Sequence, residues 1–388
     1  MNLADLPTPC LVLDRVILQR NIARMAQAVG RHGVGLRPHM KTAKSIDVAR
    51  LALQGQTGGI TVSTLAEAEY FAAHGIADIL YAVGITPQKL DQVAKLNAAG
   101  AHVTVITDDP ETAATIAAHP LPPRTLIEID TGESRGGVTP DDGDLLEIAA
   151  VLGPRLGGVM THAGHSYSGR SIGDMARIAE AERAGVVRAA ETLRGAGHAA
   201  PIVSMGSSPT ALHAEGLAGV TEVRAGVYMF GDLFQAEIGT NGLDEIAVTV
   251  VTSVIGRRPG RLLVDAGGLA LSKDRSTEAA PRDYGYGLVL DLAGQPLGNA
   301  PGDIRAGIPE DIRGGIPGGI PRGIIVRRAY QEHGLIELAP GELSELRVGD
   351  KLRIAPNHTC MTAAAHDRYH VIDGGDVVVA VWPRINGW

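Results

Sequence analysis

Short runs of β-branched residues alternate with Ala-rich stretches of helical periodicity as far as about residue 230. This pattern predicts βα units around a parallel sheet. Strand-like runs fall at Val34–Pro38, Gly59–Ser63, Asp78–Ala82, His102–Ile106, Thr125–Asp130, Gly157–Thr161, Ile202–Met205 and Glu222–Val227. Eight such units close a (β/α)8 barrel, although an open doubly wound sheet has the same alternation. The barrel is the preferred reading, because the chain changes character where an eighth unit would finish.

After about Asn241 the helical periodicity stops, and β-rich runs follow at Ile246–Val254, Arg261–Val264, Gly334–Glu337, Lys351–Ile354 and Val377–Trp382. They predict a second, all-β domain. Leu6–Asp14 (LPTPCLVLD) is also strand-like and precedes the first barrel helix, so it is expected to join that second domain. The expected organisation is a barrel over residues 15–240 and a β domain built from 1–14 and 241–388. One segment, Asp303–Gly323, breaks the pattern: it is an imperfect eight-residue repeat rich in Gly and Pro. Its single Ile residues cannot bury enough surface to offset ordering, so it reads as an exposed insertion.

Composition narrows the function. A chain of 388 residues with 45% hydrophobic content exceeds the size that one core usually serves, in keeping with two domains. The net charge is -8 and Arg is scattered, which argues against nucleic acid or an acidic membrane surface and for a small-molecule partner. No stretch approaches the ~20 apolar residues of a membrane span, and Met1–Pro9 lacks a basic region followed by an apolar run, so a cytoplasmic protein is expected. Cys10 and Cys360 are too few for a disulfide framework.

In a barrel the C-terminal ends of the strands hold the active site, and here they are densely polar. They carry Arg37, His39 and Lys41; Asp130, Thr131, Gly132 and Arg135; His162, His165 and Tyr167; Ser204, Gly206, Ser207 and Ser208; and Arg224, Gly226 and Tyr228. Of six lysines only Lys41 and Lys44 lie beside a strand end. A desolvated lysine there can act as an amine nucleophile toward an aldehyde, whereas a solvated surface lysine has no such role. The run Ser204–Thr210 (SMGSSPT) offers small residues and a helix start suited to a phosphate, or else a plain turn with a serine cap. His358 and Cys360, two apart in Pro356–Cys360 (PNHTC), would leave the same face of extended backbone and could reach one ion. A nitrogen and a thiolate suit zinc, and two protein ligands leave positions open for water or substrate; the alternative is a buried thiol beside a surface histidine.

Taken together these residues give the chain a specific likeness. It resembles the D-serine dehydratase and D-threonine aldolase family, built on the alanine-racemase-like barrel of fold-type III pyridoxal-phosphate enzymes. The similarity runs along nearly the whole chain, through Thr8–Asp14, Arg37–Thr42 (RPHMKT), Asp130–Val138 (DTGESRGGV), His162–Tyr167 (HAGHSY), Met205–Thr210, Val264–Gly267, Glu332–Gly334 and Pro356–Cys360.

The resemblance implies that Lys41 forms a Schiff base with pyridoxal 5'-phosphate, that Gly206, Ser207 and Ser208 bind the phosphate with help from Tyr228, and that Arg135 and Tyr167 lie near the cofactor ring. It makes His358 and Cys360 the ligands of a divalent metal, zinc first and manganese second, and the His-x-Cys pattern is that of the dehydratases, whereas the aldolases usually have Asp at the second position. The implied reaction is dehydration and deamination of a D-β-hydroxy amino acid such as D-serine, with Lys41 as general base, giving a 2-oxo acid and ammonia. The nearest rival is retro-aldol cleavage to glycine and an aldehyde, with His165 or His358 as base. An amino-acid racemase or a non-catalytic cofactor carrier is a more distant reading. The family also implies a homodimer in which one subunit's β domain covers the other's barrel.

Overall fold

The computed structural model describes residues 1–298, 323–339, 341–343 and 345–388. The Gly/Pro-rich insertion expected at 303–323 therefore lies outside the described residues, Gly323 excepted. The chain divides into two compact units, one of Arg24–Gly226 with Ile385–Trp388, the other of Met1–Ala23 with Val227–Arg384.

Strand β1 (Cys10–Asp14) and helix α1 (Arg15–Gly30) open the chain. The barrel strands and their helices then alternate: β2 (Gly35–Pro38), α2 (Ile46–Ala52), β3 (Ile60–Val62), α3 (Leu65–Ala73), β4 (Asp78–Gly84), α4 (Leu90–Ala98), β5 (His102–Thr107), α5 (Pro110–Ala118) and β6 (Thr125–Ile129). They continue with α6 (Gly143–Leu152), β7 (Leu156–Thr161), α7 (Ile172–Gly195), β8 (Ile202–Met205), α8 (Ser208–His213) and β9 (Glu222–Ala225). Helix starts are set locally. Thr64, Asp109 and Ser171 each accept the N–H of the third helical residue, and Pro110 follows Asp109 at the first helical position.

The eight strands pair in parallel in the order β2-β9-β8-β7-β6-β5-β4-β3. The ring closes between β2 and β3, where His39 bridges Thr61 and the Met40 N–H donates to the Thr61 carbonyl at 2.8 Å. The expected barrel is thus what forms, rather than an open sheet. Every residue of β7 is buried, as a parallel sheet covered on both faces requires.

Near the strand starts, Arg37 reaches Asp78 at 3.0 Å and Glu222 at 2.8 Å, joining β2 to β4 and β9 through one buried guanidinium. The buried guanidinium is thus compensated, and of its two carboxylates Asp78 stays half exposed to solvent.

The other unit is built on nine strands. Beyond β1 these are β10 (Val248–Arg258), β11 (Arg261–Val264), β12 (Leu288–Leu290), β13 (Val326–Ala329), β14 (Gly334–Glu337), β15 (Lys351–Ala355), β16 (Arg368–Ile372) and β17 (Val378–Pro383). The main path runs β13-β14-β11-β10-β1-β16-β17, with β15 pairing β10 and β12. The N-terminal strand therefore joins this sheet, antiparallel to β10 and parallel to β16. All five of its residues are buried, which explains a continuous apolar run where a half-exposed strand would alternate.

The expected β domain forms as a mixed sheet, and it also carries helices that were not expected. Short helices at Leu233–Glu237, Gly268–Leu271 and Thr359–Ala363 interrupt the strands, and each is too short to show a 3.6-residue period in the sequence. Strands β12, β13 and β16 also went unread, because three to five residues give little alternation to recognise.

Leu13, fully buried in β1 between two neighbouring strands, anchors this sheet. Leu13→Ala is expected to cost about 3 kcal/mol by leaving a cavity, read as a lower urea midpoint for this unit with the barrel transition unmoved.

Candidate active site

The closing strand positions the lysine. His39 N–H donates to the Ala225 carbonyl at 2.8 Å on one side while Met40 N–H holds Thr61 on the other, so the chain leaving β2 is fixed to both neighbours. Lys41 follows at once and is exposed. Gly226 makes this approach possible, since a Cβ there would stand 2.8 Å from the His39 carbonyl oxygen.

The two candidate lysines now separate. Lys44 forms an ion pair with the buried Glu67 at 3.2 Å, whereas Lys41 has no carboxylate or hydrogen-bond partner for its amine among the described residues. Two imidazoles face Lys41. Burial, then the Lys41 charge, pushes His39 well below the ordinary histidine value and His162 down to about 3. Both rings are neutral at pH 7, and neither adds positive charge beside the amine.

His162 is also tied to the β8 loop, its Nδ1 lying 2.9 Å from the Gly206 carbonyl. Three residues on, His165 Nδ1 is buried with no hydrogen-bond partner among the described residues. A buried polar atom of that kind suits a bound group that supplies the missing partner. The His165 ring lies close to Gly132, where a Cβ would meet it at 3.5 Å, so the loops after β6 and β7 converge. Tyr167 lies in the same short turn, Gly164–Ser168, and is half-buried. Arg135 is largely exposed, with Glu133 at 3.5 Å and Glu128 at 4.0 Å, and its charge reaches His162.

The suspected phosphate loop is more committed than its sequence suggests. Ser207 caps α8: its hydroxyl accepts the Thr210 N–H at 3.2 Å, its own N–H goes to Thr210 Oγ1 at 3.0 Å, and Ser166 Oγ lies 2.8 Å away. The Gly206 N–H is taken by Glu182 at 2.9 Å. These three donors hold the loop rather than wait for a ligand. Gly206 lets the loop pack closely on β9: at φ +131° its absent Cβ would stand 2.4 Å from the Arg224 carbonyl oxygen. Ser208 stands at the first helical position.

Glu182 is the residue that the sequence reading missed. One of its oxygens accepts both the Ala163 and the Gly206 N–H at 2.9 Å, pinning the β7 and β8 loops together, and burial raises its carboxyl above the ordinary range. Its signal was present. On α7 the buried positions Met175, Ala179, Glu182, Val186, Ala189 and Leu193 follow helical spacing, and a carboxylate on such a stripe needs donors. Arg224, equally buried, donates to Ser204 Oγ and the Thr161 carbonyl, bracing the same strand ends.

In the other unit, Tyr228 is buried in the turn Val227–Met229, and burial raises its phenol so that it stays protonated. His358 and Cys360 also belong here, and their setting corrects the expectation of a strand. β15 ends at Ala355; His358 is extended, but Thr359–Ala363 turns into a helix, so Cys360 sits in a first helical turn. The two side chains nonetheless lie within hydrogen-bond reach.

The backbone between the pair is pinned by Asp232, which accepts the Thr359 N–H at 3.1 Å, and by Thr359 Oγ1 donating to the Gly231 carbonyl at 2.6 Å. His358 Nδ1 lies 2.9 Å from Asp274 Oδ2. Burial opposes a charge on the ring, but the bonds to Asp274 and Cys360 outweigh it and push the imidazolium up to about 11. Among the described residues no group of three or more His, Cys, Asp or Glu is arranged to hold an ion. A metal here would rest on this pair, with coordination positions left over.

Residues 13–233 match the alanine racemase N-terminal domain and 247–372 the putative serine dehydratase domain. The chain belongs to this family. It is 43% identical to D-threo-3-hydroxyaspartate dehydratase of Delftia sp. (strain HT23), over 100% of this chain and 99% of that protein. The solved structure of that enzyme superposes with a TM-score of 0.90, covering 100% of both chains, and its cysteine-to-alanine mutant was solved in a metal-free form. Further relatives are D-serine dehydratase of Dictyostelium discoideum, 30% identical over 100% of this chain and 98% of that one, and 3-hydroxy-D-aspartate aldolase of Paracoccus denitrificans, 31% identical over 99% and 92%. The family makes the chain a pyridoxal-phosphate-dependent lyase with an alanine-racemase-like fold. No helix among the described residues is long and apolar enough to cross a membrane.

Replacing Glu182 by Leu orphans two buried amides at about 1–3 kcal/mol each. The E182L variant is expected to unfold at lower temperature and to lose pyridoxal phosphate on dialysis faster than wild type, measured by cofactor absorbance.

Proposed function

We propose that the protein dehydrates and deaminates a D-β-hydroxy amino acid, D-threo-3-hydroxyaspartate or D-serine, to a 2-oxo acid, the water lost in elimination being regained on hydrolysis of the imine so that ammonia is the net loss, using pyridoxal phosphate at Lys41 and a divalent metal at His358 and Cys360. The observation that carries this reading is the unpaired Lys41 amine at the barrel closure, flanked by two imidazoles that burial keeps neutral. A 43% identity to a dehydratase over the whole chain, with cysteine rather than aspartate two residues after His358, favours elimination over aldol cleavage.

When bound, pyridoxal phosphate supplies the sink for the electrons left at Cα. Lys41 Nζ would take the α-proton as general base, beside the neutral His39 and His162. Gly206, Ser207 and Ser208 would border the phosphate end, with Ser208 at the helix start and Ser207 holding the turn's shape. Arg135 and Tyr167 would lie near the cofactor ring, and the cofactor or substrate would supply the partner that His165 Nδ1 lacks among the described residues. Tyr228 stays a neutral donor.

Hydroxide is a poor leaving group, and a divalent ion, zinc before manganese, supplies the Lewis acidity that its departure needs. His358 and Cys360 would hold that ion, the two side chains lying within reach of each other. The reading includes a cytoplasmic homodimer whose β units complete the barrel sites.

Purified protein given D-threo-3-hydroxyaspartate, D-serine and D-threonine is expected to release 2-oxo acid and ammonia in equal amounts, and to stop when a chelator is added. Glycine plus aldehyde would establish retro-aldol cleavage instead, and turnover indifferent to chelation would favour a racemase. Borohydride reduction of the resting protein followed by peptide mapping is expected to label Lys41, and Lys41→Ala to abolish both label and turnover; a label on Lys44 would overturn the assignment.

A further inference from the structure

We infer that Asp274 is the residue that makes His358 a metal ligand, by accepting the ring's Nδ1 proton and so presenting Nε2 to the ion. The inference rests on the proposed metal role of His358 and Cys360. An imidazole can bind an ion through only one of its nitrogens, and the hydrogen bond made by the other decides which. Here Nδ1 is already committed, 2.9 Å from Asp274 Oδ2. A carboxylate partner also stops the ring from rotating and makes the remaining nitrogen a stronger donor.

The arrangement is built, not incidental. Asp274 is itself held, its Oδ1 accepting the Ser276 N–H at 2.7 Å and its own N–H donating to Ser272 Oγ at 3.1 Å. Ser272 has a positive φ of 68°, unusual for a residue other than glycine, and this turn aims the carboxylate back at the histidine. Further bonds lace the Asp274 segment to the metal segment: Asn357 Nδ2 donates to the Asp274 carbonyl at 3.3 Å, and Thr362 Oγ1 to the Leu271 carbonyl at 2.8 Å. Both Asp274 oxygens already accept hydrogen bonds, so its part is to orient the ligand rather than to be one.

A purely structural ion pair predicts nothing about metal, and that separates the two roles. Zinc affinity of the cofactor-loaded protein, measured by competition with a chromogenic chelator, is expected to fall roughly 10–100-fold in Asp274→Ala. Asp274→Asn should lie between, because its one oxygen can serve either the His358 proton or the Ser276 N–H, but not both. Pyridoxal-phosphate absorbance unchanged in both variants would show that the barrel site is intact. Wild-type affinity in Asp274→Ala, or in Asp274→Asn should the alanine variant not fold, overturns the inference and leaves the metal site standing. Wild-type protein that binds zinc no better than His358→Ala overturns the metal reading itself.

Discussion

Closure of the barrel at β2 is the constraint on which the candidate chemistry depends. A ring of parallel strands has one place where the first strand must meet both the last and the second, and here that place is the end of β2. His39 and Met40 spend their amides on β9 and on Thr61, so the next residue has no freedom of position. That residue is Lys41. An amine that must meet a carbonyl carbon and then a Cα proton gains from such placement, since orientation lowers the barrier without any group being made more reactive.

The ring's polar interior obeys the same economy of partners. Arg37 ties the strand starts through two carboxylates, and Arg224 and Glu182 tie the strand ends through hydroxyl, carbonyl and amide groups. Each buried charge is hydrogen-bonded, as a low-dielectric interior demands. At the mouth, the exposed Lys41 amine and the buried His165 Nδ1 lack partners among the described residues, and His39 and His162 stay uncharged. A buried ring nitrogen without a partner beside a free amine suits a site that a ligand completes.

The β unit handles its own pair by a different device. A strand alone would have set His358 and Cys360 on one face, but the chain bends into a helix between them, and Asp232 and Gly231 hold the bend from outside. Asp274 then governs which nitrogen of His358 remains available. Local geometry thus comes from residues more than 80 positions away in sequence.

The sequence by itself determined the eight βα units, the change to β structure after the barrel, the membership of the N-terminal strand in the second sheet and the candidates Lys41, His358 and Cys360, because periodicity and residue type are local properties. It also carried Glu182 as a charge on an apolar helical stripe, a signal that went unread. Tertiary structure decided the rest. Whether Lys41 or Lys44 keeps a free amine depended on Glu67, whether Ser207 serves a ligand or a helix depended on Thr210 and Ser166, and the orientation of His358 depended on Asp274. Each is a matter of which distant group captures a hydrogen bond, and no pattern along a chain records the partner that folding will bring.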